Sequence, residues 1–154
     1  MSVLKFDPSS ELMFRIRLAQ EYLREAEEAF SRGDWRTAVA SSQLSAENSA
    51  KAVIAYFRVP SWSHDPSPEL MDVIGSIPGD VRNLVEELAE VVRRLAPEHG
   101  RSTYGEPLRG LTPWDIYSAV EAEEALDMAR RALGNARMVL RRLGVEISSS
   151  EGVG

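Results

Sequence analysis

Arg93, Arg94, His99, Arg101 and Tyr104 fall within twelve consecutive positions, the densest run of reactive side chains in the chain. Cations at such a place can satisfy the orphan carbonyls of a helix end. They can equally form an anion or RNA-phosphate site, with His99 as acid or base and Tyr104 stacking or donating. A second pair, His64-Asp65, follows Trp62 in a proline-rich segment. Adjacent His and Asp can fix an imidazole tautomer for proton transfer, yet Asp65, ahead of Pro66-Ser67-Pro68, also stands where a helix cap belongs. A third set comprises Gln43, Glu47, Asn48 and Lys51. Glu47 and Lys51 are four apart in the favourable acid-first order. Polar groups in the middle of a buried helix need partners or cost about 1–3 kcal/mol each. The set is either a polar recess for a ligand or a hydrogen-bond network that fixes helix register. Full burial and mutual satisfaction of Glu47 and Lys51 would favour a structural dimer with no ligand. The chain's two histidines are too few and too scattered for a metal site, and there is no cysteine. No metal and no cofactor is expected.

The elements that must position these groups are helices. Leu12, Ile16, Ala19, Leu23, Ala26 and Phe30 alternate spacings of four and three, which predicts a helix from Ser10 to Ser31 capped by Ser9 or Ser10. Gly33 ends it and Asp34 caps a second helix reaching Phe57, so the two form an antiparallel hairpin. The second helix has a stripe of Ala and Ser, small enough for neighbouring backbones to approach closely, which places it at the centre of a bundle. Three prolines between residues 58 and 68 make a stiff loop. A short helix is expected over Glu69–Ser76. Another, capped by Asp80, carries Val81, Leu84, Val85, Leu88, Val91, Val92 and Leu95. Pro97 and Gly100 are read as stopping it, leaving residues 97 to 118 as the longest non-helical stretch. Within it Trp114, Ile116 and Tyr117 read as a staple pinning the loop or as an apolar surface for a partner. Ser118 and Glu121 form a capping box for the last helix, striped by Ala122, Leu126, Ala129, Leu133, Ala136, Leu140 and Leu143. The fold class expected is therefore all-α, an up-and-down bundle of four to five helices with one short extra helix and a long loop before the last. Residues 1–147 are expected as a single domain and 148–154 as a flexible tail.

At 154 residues and 44% hydrophobic composition the chain has the makeup of a globular domain. No window of apolar residues is long enough for a membrane span, and Met1–Ser10 lacks the pattern of a secretory signal, so the protein is expected in the cytoplasm. A net charge of -6 argues against an indiscriminate nucleic-acid coat, without excluding a local basic site. Sixteen of the eighteen cations are arginine, a bias consistent with genome composition or with bidentate recognition of phosphate and carboxylate. Val53, Ile54, Tyr56 and Phe57 nearly encircle the end of the second helix, and a helix apolar all round is buried on all sides, here by a second subunit.

The helix order, with Gln43-Leu44-Ser45-Ala46-Glu47-Asn48-Ser49-Ala50-Lys51-Ala52, resembles the HEPN family of prokaryotic helical domains. Trp62-Ser63-His64-Asp65-Pro66 is similar to the family's His-containing loop after the second helix. Arg101-Ser102-Thr103-Tyr104-Gly105 and Tyr117 to Ala125 resemble the loop and final helix of its archaeal branch. The resemblance covers roughly residues 10 to 143. It implies a bundle that pairs as a homodimer and works beside a small nucleotidyltransferase, in modules like toxin–antitoxin pairs. Many relatives are metal-independent ribonucleases with an Arg-x4–6-His motif paired across the dimer. This chain offers Arg94-x4-His99 and Arg93-x5-His99. It departs from the motif in that Leu95 follows the arginine, Pro97 intervenes, and His99 is expected in a loop. The resemblance thus implies nucleotide or partner binding first, with Glu47, Lys51, His64, Asp65 and Tyr104 near the ligand. The alternative is a ribonuclease in which His99 deprotonates a ribose 2′-hydroxyl and Arg94 or Arg101 stabilises the phosphorane.

Overall fold

The structure, a computed structural model, describes residues 7–147. Seven α-helices follow in order: α1 (Pro8–Ser31), α2 (Trp35–Ala55), α3 (Ser67–Val73), α4 (Arg82–Leu95), α5 (Glu98–Tyr104), α6 (Pro113–Ile116) and α7 (Ala119–Arg142), with single 3-10 turns at Ile74–Ser76, Gly79–Val81 and Pro107–Arg109. The described residues hold no strand beyond one isolated pairing of Glu106 with Leu111. The architecture is the all-α bundle that the periodicity predicts. The tail expected from residue 148 lies outside the described residues.

Helix α2 is the central strut, packed against α1, α7, α4 and α5. Its small residues make that possible: Ala46, Ala50 and Ala52 are fully buried, and Ser45 Oγ donates to the Ala19 carbonyl of α1 at 2.8 Å. Gly33, at φ 77°, supplies the left-handed turn that folds α1 back onto α2, and Asp34 caps α2 by accepting from Thr37 N at 3.1 Å. Helix α7 closes the bundle on α2 and α4, burying Ala122, Leu126, Ala129, Leu133, Ala136 and Leu140. Its capping box is formed as expected, with Glu121 accepting from Ser118 N at 2.8 Å.

Several boundaries move. Helix α1 starts earlier, because Asp7 rather than a serine accepts from Ser9 N and Ser10 N, and Pro8 is pre-set for the first turn. Asp80 does not cap α4; it sits in a 3-10 turn and takes an ion pair from Arg142 at 3.0 Å instead. Helix α2 ends at Ala55. Of the apolar ring at its end, Val53 and Ile54 are fully buried by the chain's own helices, whereas Tyr56 stays 39% exposed and Phe57 is half-buried.

The largest correction concerns residues 97 to 118, which contain α5 and α6. Proline is tolerated where a helix begins, and Pro97 stands just before α5, where it starts a helix instead of only stopping one. Gly105, at φ 74°, ends α5, and a Cβ there would sit 2.3 Å from the Leu111 carbonyl oxygen. Only glycine lets the returning loop come that close. His99 therefore lies on a helix that packs against α2, not in a loop.

Candidate functional site

Gln43, Glu47 and Lys51 are spaced by four along α2 and so share one face. All three are buried, at 1%, 5% and 3% exposure. Gln43 Nε2 donates to Glu47 Oε1 at 2.9 Å, and Lys51 Nζ donates to Glu47 Oε2 at 2.9 Å. The loop after α2 brings His64 over this row, with Nδ1 3.1 Å from Glu47 Oε1. Helix α5 brings His99, whose Nδ1 lies 3.1 Å from Gln43 Oε1. The two imidazole rings stack, 3.6 Å between centroids and 20° from parallel. The histidines expected to be scattered are thus in ring contact, thirty-five positions apart in the chain.

Donor and acceptor rules fix the protons. A carboxylate oxygen only accepts, so Gln43 turns its amide nitrogen to Glu47 and its oxygen to His99. That oxygen also only accepts, so His99 carries its hydrogen on Nδ1 and keeps a lone pair on Nε2. The same rule puts a hydrogen on His64 Nδ1, facing Glu47. Burial, reinforced by the neighbouring His64, holds the His99 imidazole below its ordinary value against the pull of Glu47. His99 is accordingly neutral at pH 7, and its Nε2 can accept a proton, a hydrogen bond or an ion.

The Glu47–Lys51 pair is buried, as a purely structural role requires, but it is not mutually satisfied. Among the described residues Lys51 Nζ makes that one hydrogen bond, where an ammonium has three donors. The opening of this row is through His64, whose side chain is 51% exposed. Asn48 turns away, accepting from Arg15 at 3.1 Å and donating to the Leu44 carbonyl. Asp65 accepts from Ser67 N at 3.1 Å in the turn before α3, but the N-cap of that helix is Pro66 and carries no side-chain cap, so Asp65 is a turn residue and not the cap expected.

The remaining predicted residues lie elsewhere. Arg94 lines a recess between α4, α5 and α7 with Glu98, Arg101, Tyr117, Glu121 and Glu124. His99 does not line that recess; its ring is turned to Gln43 and His64 instead. Arg101 is occupied: it donates to both oxygens of Glu98 at 2.8 Å and to Glu106 at 2.5 and 2.9 Å, and lies over the Tyr117 ring. Tyr117 donates to Glu98 at 2.6 Å, and burial together with that carboxylate keeps its phenol protonated. Arg93 pairs with Glu90 on the surface. Tyr104 and Trp114 are exposed, the latter under the Arg36 guanidinium.

Gln43 was absent from the residues assigned to a ligand, yet it is the link between Glu47 and His99. The spacing of four that joins it to Glu47 was the signal for it.

The fold and this recess define a class: a small helical bundle whose central helix carries a buried carboxylate–amide–ammonium row beneath two histidines. The family model for the HEPN domain matches residues 12–143, and the chain belongs to that family. A solved structure, the crystal structure of TT1696 from Thermus thermophilus, is similar to it at a TM-score of 0.65 and 28% identity, over 84% of this chain and 98% of that one. Among curated proteins no match is found. No helix among the described residues is long and apolar enough to cross a membrane.

Proposed function

We propose that this HEPN domain binds a nucleotide, with His64 and His99 making the contacts and Gln43, Glu47 and Lys51 holding them in place. The observation that supports this most is the stacked imidazole pair, fixed from below and open to solvent through His64. Among the described residues neither Nε2 has a hydrogen-bond partner, so each can bond a ribose hydroxyl or a base edge. The exposed face of His64 and the exposed Trp62 offer stacking surfaces, worth about 1–3 kcal/mol per base. In this reading Asp65 serves by fixing the turn after His64 through its bond to Ser67 N, and Tyr104 is outside the site. The domain acts as a homodimer in the cytoplasm beside a small nucleotidyltransferase, in a toxin–antitoxin-like module, as the family resemblance implies. Titration with a fluorescent ATP or GTP analogue tests the site. Saturable binding is expected, weakened about tenfold or more by His64→Ala and by His99→Ala. Folded wild type that binds neither analogue, or variants that bind as well as wild type, would overturn it.

One observation favours a second reading. His99 is neutral with an open Nε2, the state a general base needs to deprotonate a 2′-hydroxyl. A metal-independent ribonuclease would then draw Arg94 from a second subunit, because Arg101 is already committed to Glu98 and Glu106. Cleavage of a labelled structured RNA in EDTA, lost in both His99→Ala and Arg94→Ala, is the result that reading requires.

A further inference from the structure

We propose that Glu47, His64 and His99 together bind a divalent transition-metal ion of the zinc type. One donor atom from each of the three lies within 4.8 Å of the others, and they come from three separate elements: α2, the loop after it, and α5. Around an ion bound at 2.0–2.2 Å, neighbouring ligand atoms sit roughly 3–3.5 Å apart. Glu47 Oε1 and His64 Nδ1, at 3.1 Å, already have that spacing. The separations, all within 4.8 Å, have to close by at most about 1–2 Å. The half-exposed His64 ring has to turn out of its stack on His99 so that the in-plane lone pairs of both rings meet at the ion. Two imidazoles and a carboxylate are a donor set suited to zinc and to iron, cobalt or nickel, and not to magnesium or calcium.

The surroundings fit an ion as well as the ligands do. A metal-bound histidine usually donates its second ring N–H to a fixed acceptor, which sets its tautomer. His99 has that acceptor in Gln43 Oε1, leaving Nε2 for the ion. Lys51 holds Glu47 Oε2 at 2.9 Å, so the carboxylate presents only Oε1 and would ligate through one oxygen. On binding, the ion takes the place of the hydrogen between His64 Nδ1 and Glu47 Oε1, and the neutral ring carries its hydrogen on Nε2 instead, so no net proton is released. Three protein ligands leave at least one position open for water or for a ligand oxygen. The Lys51 charge makes this a weaker site than one built on thiolates.

This inference does not rest on nucleotide binding, and its test contains no nucleotide. Tag-free protein stripped with chelator would be titrated with Co²⁺, followed by its visible d–d absorption, and then with Zn²⁺. One Co²⁺ per chain, displaced by Zn²⁺ and bound about tenfold or more weakly by His64→Ala and His99→Ala, is the expected result. The chain has two histidines, so its imidazole NMR spectrum gives a second readout on wild type that survives if a variant fails to fold. Zn²⁺ should shift both sets of ring signals together. Signals unmoved by excess Zn²⁺, or ion binding that neither histidine substitution weakens, would overturn the assignment.

Discussion

Two polar clusters flank α2, and they differ in how completely they close. Around Arg101 all three guanidinium nitrogens donate: Glu98, Glu106 and Tyr117 form a ring of charge-assisted bonds that also draws in Arg109. Around Glu47 the network is buried at its base but ends in two imidazoles whose Nε2 atoms have no partner among the described residues, one ring being half exposed. The first cluster ties the α5–α6 segment to the start of α7; the second is held ready. Residue type does not separate them, since arginines and a tyrosine look at least as reactive as a glutamate and a glutamine. What separates them is which groups still have a bond to make.

The widest break between the two comes from removing the buried carboxylate. Glu47→Ala leaves Lys51 without its partner in a site 3% exposed, and stranding one member of a buried pair costs about 3–5 kcal/mol. Urea unfolding should show a loss of that size, with much of it recovered when Lys51→Met is added. A loss under about 1 kcal/mol would mean that water already reaches the pair. Arg101→Ala is expected to cost less, about 1–2 kcal/mol, because its guanidinium is a third exposed and its bonds are partly replaceable by water. It should leave nucleotide affinity unchanged. A variant that lost affinity while keeping its stability would move Arg101 into the site and erase the contrast.

How far the sequence carries depends on how local each cause is. The stripes of α1, α4 and α7 are written in residues three and four apart, and the buried positions follow them. Pro97 and Gly100, read locally, deny a helix where α5 forms. What stabilises that helix from outside its own residues is its packing on α2 and Tyr117 reaching Glu98. The same holds within the site. Gln43, Glu47 and Lys51 are visible as one face from their spacing. His64 and His99 are joined only by the packing of α5 on α2, and no local pattern announces that two lone histidines will stack. Arg101 misled for the opposite reason, since a cation beside a histidine looks the same in sequence whether its donors are free or filled.

Acid separates the clusters by the pH at which each begins to lose stability. His99 is held below its ordinary value of 6.5, chiefly by burial and then by His64, with Glu47 opposing. The unfolded chain therefore takes up this proton first as the pH drops. The penalty is absent above about 6.5, starts there, and grows until the pH passes the folded value. Glu106 is held low by Arg101 and Arg109, so its contribution is intact above its ordinary value of 4.5 and disappears only as acid protonates the folded carboxylate. In chelator-treated protein, unfolding free energy should bend downward in two stages, first below about 6.5 and then below about 4.5. His99→Gln should remove the first bend and keep the second, since the amide has nothing to titrate. The effect is small beside that of Glu47→Ala because one partly exposed imidazole is involved. If the first bend persists in His99→Gln, the sheltered ring is not its source, and the contrast between the two clusters in acid is lost.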